Sequence, residues 1–333
     1  RLRPMREAAA GREIDAVLAR LASPSVAEPT SVAVVADPHV TPQAEGTAMV
    51  YHDAGDRLRR AFADAEARGV DAIVSAGDLT KDGAPWEYDY LDTILAEVET
   101  PFFSVPGNHD VPKAPVAEYD HGDEHDTPPV ERFEREYTPD GELPFVERVG
   151  GVDIVGIDTA SAPDGSLART HDGRVSAEQV AWLDATLDDL AAPVVLMHHN
   201  TPAMFEQFAD LRERSHPEMT DPPVLRDPEP LVDTLTDHEV PLVVTGHLHN
   251  VGVAETGPVR EVTTPATGSF PQGYLLFESD ESGTTVRYVP VGDVAENTEA
   301  HHLRRTSGPR GAGYAAFASI RLATMPLLDE QDG

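Results

Sequence analysis

The chain has 333 residues, no cysteine and a formal net charge of −34 at pH 7. Its length allows one large α/β domain or two smaller ones, and a hydrophobic fraction of 40% excludes global disorder. Without cysteine the chain has no disulfide, no thiolate metal site and no cysteine nucleophile, so nitrogen and oxygen atoms are the only ligands available to a metal.

The acidic residues are spread along the whole chain, and only two of the 25 basic residues are lysines, Lys81 and Lys113. An acidic tail, which is typical of an interaction module, is therefore not the pattern here. A uniformly acidic surface with few lysines is typical of proteins from salt-loving organisms, where high ionic strength screens the repulsion. We interpret the charge as halophilic and expect low salt to weaken the fold.

No N-terminal segment combines basic residues with an apolar stretch, and no apolar run is long enough to span a membrane. We therefore expect a cytoplasmic protein without a membrane partner. Residues 1–30 are interpreted as an N-terminal extension on the outside of the domain, with an amphipathic helix predicted at 12–21.

Three apolar segments early in the chain predict buried parallel strands that alternate with helices. The predicted elements are 31–36 (strand), 56–68 (helix), 71–76 (strand), 86–98 (helix) and 102–105 (strand). Each strand is followed at once by polar residues with ligand chemistry. Because the carboxyl ends of parallel strands meet at one edge of a sheet, these side chains should converge there. They are Asp37, His39, Asp78, Asn108 and His109.

Two later apolar strands also end in histidine. The strand at 193–197 leads into His198 and His199, and the strand at 241–244 leads into the run 246–249. Two histidines at alternate positions are weak evidence alone, since any strand places alternate side chains on one side. Five strand ends that all carry ligand-type side chains are strong evidence for a metal site.

The remaining apolar segments complete the predicted domain, residues 31–291. A strand at 152–157 is followed by a helix that Ser176 should cap. Antiparallel closing strands are predicted at 259–264, 274–278 and 284–289. A C-terminal tail, residues 292–333, is expected to hold one helix at 313–328.

Two long segments have no predicted framework. Residues 111–144 are read as a loop, within which the acidic and histidine-rich run 118–126 is either a metal site or, as we favour, a solvated loop. The insertion at 202–230 is either a lid or disordered filler. His301 and His302 are expected on the surface. The apolar residues of the insertion are Met204, Phe205, Phe208 and Met219.

The motifs at the five strand ends resemble those of the calcineurin-like metallophosphoesterase superfamily. The resemblance runs from about residue 32 to 267, with closing strands to about 291. Asp158-Thr159 and the run 174–183 look most similar to the branch of cyclic-nucleotide and glycerophosphodiester phosphodiesterases. The five motifs are Asp37-Pro38-His39, Gly77-Asp78-Leu79-Thr80-Lys81-Asp82-Gly83, Gly107-Asn108-His109-Asp110, His198-His199 and Gly246-His247-Leu248-His249.

This resemblance implies an α/β fold, a four-layer α/β/β/α sandwich of two mixed β-sheets, with the site at the C-terminal ends of strands. It also implies two divalent or mixed-valence metal ions, for which imidazole and amide ligands favour Mn, Fe or Zn. Two ions about 3.5–4 Å apart would activate a bridging hydroxide for in-line attack. By position, the first ion would be held by Asp37, His39, Asp78 and His249. The second would be held by Asp78, Asn108, His198 and His247.

His109 is not expected to bind metal. The resemblance implies that it contacts the phosphate or protonates the leaving group, with Asp110 orienting its ring. The sequence departs from the family at Asn200, where proline usually follows the histidine pair. This departure leaves open whether His198 or His199 is the ligand, and position favours His198.

The resemblance implies a hydrolase of small soluble phosphodiesters. A nuclease or phosphomonoesterase on the same core is the alternative, and the acidic surface disfavours nucleic acid as a partner. A non-catalytic scaffold is a third interpretation, but a scaffold should have lost ligands, and every expected ligand is present.

Overall fold

A computed structural model describes residues 15–42, 49–112, 127–162 and 171–331. The strands of these residues are β1 (Ala16–Leu21), β2 (Thr30–Val35), β3 (Ala72–Ser75), β4 (Phe102–Ser104), β5 (Phe145–Val149), β6 (Val152–Gly156), β7 (Pro193–Leu196), β8 (Leu242–Thr245), β9 (Gly252–Thr256), β10 (Val259–Thr263), β11 (Gly273–Asp280), β12 (Gly283–Pro290) and β13 (Leu328–Asp329). The helices are α1 (Ala54–Arg68), α2 (Pro85–Leu95), α3 (Val130–Tyr137), α4 (Ala177–Leu187), α5 (Pro202–Ser215), α6 (Glu229–Asp237), α7 (Val294–Thr306) and α8 (Pro309–Thr324).

The strands form two mixed sheets. The first has seven strands in the order β13-β1-β12-β11-β2-β3-β4, and the second has six in the order β5-β6-β7-β8-β10-β9. Strands β2, β3 and β4 are parallel, as are β6, β7 and β8. The five predicted strands that precede the motifs are confirmed, and each of their ends lies within one residue of the prediction.

Three apolar clusters define the layers. One lies between the sheets, where Val34 and Val74 of the first sheet pack with Leu196 and Val244 of the second. Another joins the first sheet to α1 and α2, and a third joins the second sheet to α4 and α6. Because the central strands are covered on both faces, their sequences are continuous apolar runs. The predicted four-layer α/β/β/α sandwich is confirmed.

The N-terminal helix prediction is wrong over residues 16–21. These residues form β1, which pairs antiparallel with β12 and parallel with β13. They therefore belong to the first sheet and are not an extension on the outside of the domain. Leu18 and Leu21 are buried in the cluster between the sheets. A short apolar run is compatible with either a helix or a strand, and only the pairing partner decides between them. Residues before 15 lie outside the described part of the chain.

The first half of the insertion after the histidine pair is not disordered filler. Residues 202–215 form α5, whose Met204 and Phe208 are fully buried. The ring of Phe208 lies parallel to that of Phe317 in α8, with centroids 4.0 Å apart. Apolar residues four positions apart share one face of a helix, so this segment has core periodicity that the sequence analysis missed. Its removal would expose the surface on which α8 packs.

The structure also differs from the predictions for the segment 111–144 and for the C-terminal tail. The segment 111–144 contains α3, while its run 118–126 lies outside the described residues. The C-terminal tail holds two helices, α7 and α8, which pack together. His302 is exposed as expected, but His301 is partly buried and its ring meets that of Phe270 at 4.8 Å. No helix in the four described ranges has the length and apolar character needed to cross a membrane.

We expect salt to stabilise this fold. Fifty-nine acidic residues against 25 basic ones leave a large repulsion between exposed carboxylates. The Debye length falls from about 30 Å at 0.01 M salt to about 3 Å at 1 M, so the melting temperature should rise over that range. KCl and NaCl should give the same curve, since screening depends on ionic strength. A melting temperature independent of salt would contradict the halophilic interpretation.

Candidate metal centre

The site begins in a strained backbone at the strand ends. Five of its residues have positive φ angles between 45° and 67°, a region that side chains other than glycine rarely occupy. The loops are joined by backbone hydrogen bonds that continue the sheet, such as that from the His39 N–H to the Asp78 carbonyl at 3.1 Å. Such strain is typical of functional sites, where surrounding contacts hold it. The five residues are Asp37, His39, Asp78, His247 and His249.

A first group of four side chains brings its ligand-type atoms within 4.8 Å of one another: Asp37, His39, Asp78 and His249. The Nε2 atoms of His39 and His249 are 3.1 Å apart. His249 Nε2 also lies 3.3 Å from Asp37 Oδ1, and His39 Nε2 lies 3.5 Å from Asp78 Oδ2. Burial lowers the pKa of His39 to about 4, which keeps its imidazole neutral and able to act as a ligand. Two carboxylates and two imidazoles converging in this way fit a transition-metal ion.

A second group forms around His198. Its Nδ1–H donates to the Ala76 carbonyl at 2.7 Å, which leaves the lone pair on Nε2. That nitrogen faces Asn108 Oδ1 at 3.2 Å and His247 Nδ1 at 3.2 Å. A lone pair on Nε2 that faces an amide oxygen needs a proton or a metal cation between the two atoms. Burial lowers the pKa of His198, but Asp78 outweighs this and raises it to about 9, so the same point attracts a proton or a metal ion.

Asp78 lies between the two groups. Its Oδ2 is 3.5 Å from His39 Nε2 and 3.4 Å from His198 Nε2, while its Oδ1 accepts from the His109 N–H at 2.7 Å. Burial would raise its pKa, but the surrounding imidazoles outweigh burial and hold the pKa of Asp78 well below the usual range. One oxygen shared by both groups is the arrangement that a bridging carboxylate requires.

The hydrogen bonds of His199 indicate which of the two adjacent histidines, His198 or His199, binds the metal ion. Both ring nitrogens of His199 have protein partners: Nδ1 is 2.8 Å from Thr159 Oγ1, and Nε2 is 3.3 Å from the His171 carbonyl. A Cβ on Gly173 would lie 2.3 Å from the His199 ring, so only glycine allows the chain to cover this face. These contacts favour His198 as the ligand, and a ring nitrogen of His199 lies within 4.8 Å of ligand-type atoms of His198 and His247.

The expectation that Asp110 orients the His109 ring is not met. The Asp110 carboxylate accepts from the N–H groups of Leu79, Thr80 and Gly107 and from the Thr80 hydroxyl, at 2.9–3.1 Å. It thereby ties the loop after β3 to the loop after β4. The Lys81 carbonyl accepts a hydrogen bond from His109 Nδ1 and thereby fixes the orientation of that ring.

Residues 30–251 match the family model described as Calcineurin-like phosphoesterase. The chain belongs to the calcineurin-like phosphoesterase family. It is 26% identical over 267 residues to a protein of Synechococcus sp. named as a probable cyclic nucleotide phosphodiesterase, a match that covers 76% of this chain and 89% of that one. A probable cyclic nucleotide phosphodiesterase of Rhodococcus erythropolis is 27% identical over 226 residues, 65% of this chain and 63% of the relative.

The same fold is found among solved structures. A dimetal phosphatase from Danio rerio superposes with a TM-score of 0.56 at 15% identity, over 81% of this chain and 98% of that one. At this identity the likeness shows the fold alone. It agrees with the two mixed sheets described above.

Within this calcineurin-like phosphoesterase, the sequence analysis missed two neighbours of the site. The Asn108 amide nitrogen lies 3.2 Å from His171 Nδ1, which turns the Asn108 oxygen toward His198. Asn200 replaces the usual proline with a buried network, donating to Glu261 Oε1 at 2.8 Å and to Thr245 Oγ1 at 2.7 Å. His171 follows none of the strands predicted from the sequence, so no pattern marked it. The Asn200 departure was visible, but its partner 61 residues away was not.

Proposed function

We propose that this calcineurin-like phosphoesterase hydrolyses small phosphodiesters with two transition-metal ions, Mn, Fe or Zn. The observation that carries the proposal is the position of Asp78 Oδ2, 3.5 Å from a nitrogen of one ligand group and 3.4 Å from a nitrogen of the other. We assign the ligands of one ion to Asp37, His39, Asp78 and His249, and those of the other to Asp78, Asn108, His198 and His247. When bound, such ions supply a nucleophile at neutral pH and polarise the phosphoryl oxygens.

The chain itself supplies proton transfer and orientation. The Lys81 carbonyl fixes the His109 ring through Nδ1, so Nε2 can donate a proton to the leaving oxygen or a hydrogen bond to the phosphate. His109 lies at 4.6 Å, ring to ring, from His39, which places it beside the first ligand group. His171 holds the Asn108 amide so that its oxygen faces the second group. These contacts support His109 as a catalytic residue and His171 as a positioning residue.

The size of the pocket supports a small substrate. The ligand groups open into a pocket of about 340 Å³, which Asp78, Asn108, His109 and His247 share with residues of the C-terminal helices. A volume of this order suits a small-molecule ligand and not a folded partner. The relatives named as cyclic nucleotide phosphodiesterases favour diesters, and cyclic nucleotides among them.

A panel of substrates tests the proposal. The protein should be assayed with Mn²⁺ in molar KCl against cyclic nucleotides, glycerophosphodiesters, a phosphomonoester and single-stranded DNA, each compared by kcat/KM. We expect the small diesters to exceed the monoester and DNA by at least about tenfold. Higher kcat/KM for the monoester or for DNA would replace the proposal with a phosphomonoesterase or a nuclease on the same core. No turnover of any substrate would favour a scaffold.

A further inference from the structure

The arginines of the C-terminal helices differ from all other described arginines. Each of the earlier ones lies within 4 Å of a carboxylate, as expected in a chain with excess acid. Arg304, Arg305, Arg310 and Arg321 make no ion pair within the described ranges. Two of them, Arg304 and Arg310, line the pocket at the metal centre. The paired arginines are Arg20, Arg57, Arg59, Arg60, Arg68, Arg132, Arg135, Arg148, Arg174, Arg212, Arg214, Arg226, Arg260 and Arg287.

Of the two arginines that line the pocket, Arg304 and Arg310, the first is a structural residue. It is buried, and its guanidinium donates to the carbonyls of Leu248, His249 and Phe270, with the Leu248 contact at 2.9 Å. It thus fixes the loop that carries His247 and His249 from a helix outside the family match. A guanidinium engaged with several carbonyls has few N–H groups left for a substrate.

Arg310 is placed differently. Its side chain is exposed, and its Nε donates to Thr220 Oγ1 at 2.8 Å while one Nη approaches the Asp221 carbonyl at 3.4 Å. The Asp221 carboxylate is already paired with Arg212. Arg310 is therefore anchored at one edge by neutral groups and keeps its charge and remaining N–H groups for another partner.

The start of α8 adds backbone donors at the same place. This helix of sixteen residues begins at Pro309, and its N-cap Gly308 gives no side-chain hydrogen bond. Arg310 and Gly311, in the first turn, both line the pocket. The first N–H groups of a helix have no acceptor within it, and the helix dipole favours an anion there.

A buried hydroxyl is the independent sign of a ligand at this point. Tyr314 lies one turn further along α8, lines the pocket and is 8% exposed, and its hydroxyl is buried without a hydrogen-bond partner among the described residues. A buried hydroxyl without a partner costs free energy unless something satisfies it. A ligand with acceptor oxygens at the start of α8 would do so.

We propose that Arg310, the first-turn N–H groups of α8 and the Tyr314 hydroxyl form an anion subsite that binds a second phosphate or carboxylate of the substrate. Among the small phosphodiesters of the proposed function, the subsite would favour those that carry an additional anionic group away from the scissile bond. A local cation is needed because a chain with net charge −34 repels anions elsewhere. The inference rests on the proposed function for the scissile bond, while the subsite itself is tested by binding alone.

The test compares two ligands that differ by one phosphate. Thymidine 5′-monophosphate and thymidine 3′,5′-bisphosphate should be titrated by calorimetry into Mn²⁺-loaded protein at one ionic strength. We expect the bisphosphate to bind at least about tenfold more tightly, as charge-assisted hydrogen bonds allow. Arg310→Gln should reduce this ratio to about one and leave the monophosphate dissociation constant within about twofold. Tyr314→Phe should reduce the ratio less, and Arg305→Gln, an exposed arginine of α7 outside the pocket, should leave it unchanged.

Three results would overturn the subsite. They are a wild-type ratio of one or below, an equal loss for both ligands in Arg310→Gln, and a loss in Arg305→Gln as large as in Arg310→Gln. The second would mean that Arg310 binds the shared 5′-phosphate. Melting curves of each variant exclude loss of folding as the cause. Turnover of the p-nitrophenyl ester of thymidine 5′-phosphate, with and without a 3′-phosphate, tests the proposed function separately, since binding does not depend on it.

Discussion

Asp78→Ala should abolish turnover of every phosphoester and empty at least one metal site. Asp78 Oδ2 faces both ligand groups, and Oδ1 accepts from the His109 N–H at 2.7 Å, so one truncation removes the shared ligand and a support of the adjacent loop. Loss of an outer partner of a metal ligand costs 10–100-fold in affinity or activity, and loss of the shared ligand should exceed about 100-fold. Metal analysis and kcat/KM on one diester check both parts.

Asp71→Ala is the matched control. Asp71 lies at the other end of β3, is exposed, and accepts from the Ser31 N–H at 2.8 Å, so its loss should leave metal content and activity near the wild-type values. Asp78→Asn keeps the volume of the side chain and removes its negative charge, so it separates the effect of charge from the effect of shape. If Asp78→Ala retained two ions per chain with measurable turnover, the bridging assignment would be wrong.

His109→Ala should retain both metals and lose activity in proportion to the basicity of the leaving group. An alkoxide needs a proton in the transition state, so the loss on an alkyl diester should be about 10²–10⁴-fold, the usual share of general acid catalysis. A nitrophenolate leaves without a proton, and there the loss should be much smaller. The ratio of kcat/KM for an alkyl and an aryl diester measures the effect on transition-state stabilisation directly.

His302→Ala provides the comparison, since His302 is exposed on α7 and should change neither ratio nor metal content. Equal losses on both diesters, with metals retained, would mean that His109 binds phosphate and does not donate a proton. Loss of metal would show that the assignment of Asn108 as ligand and His109 as acid is incorrect. Each outcome therefore identifies a different role for this histidine.

The sequence predicted the parts of the fold that local pattern and topology determine. Strands such as β3 and β7 are short apolar runs covered on both faces, and polar residues with ligand chemistry follow them at once. Because parallel strands direct these ends to one edge, the convergence of Asp37, Asp78 and Asn108 followed from the order of the elements. The approach of His198 from the second sheet was implied only by the family resemblance. Their distances and protonation required the structure.

The parts that could not be predicted depend on partners far away in the sequence. The six residues of β1 became a strand because β12 offers an edge, although their pattern also suits a helix. Phe208 and Phe317 stack across 109 residues, which no local periodicity reveals. The family resemblance implied that Asp110 orients His109, whereas in the structure its carboxylate accepts from backbone donors of two loops. Arg304 reaches the site from a helix beyond the family match.

The central claim is that Asp78 joins two metal ions in one site. The most direct measurement is reconstitution of metal-free protein with Mn²⁺ in high salt, followed by metal analysis and electron paramagnetic resonance. We expect two ions per chain at full activity and a spin-coupled spectrum, because two-metal sites of this class hold their ions about 3.5–4 Å apart. One ion per chain in fully active enzyme, or two ions without coupling, would contradict it.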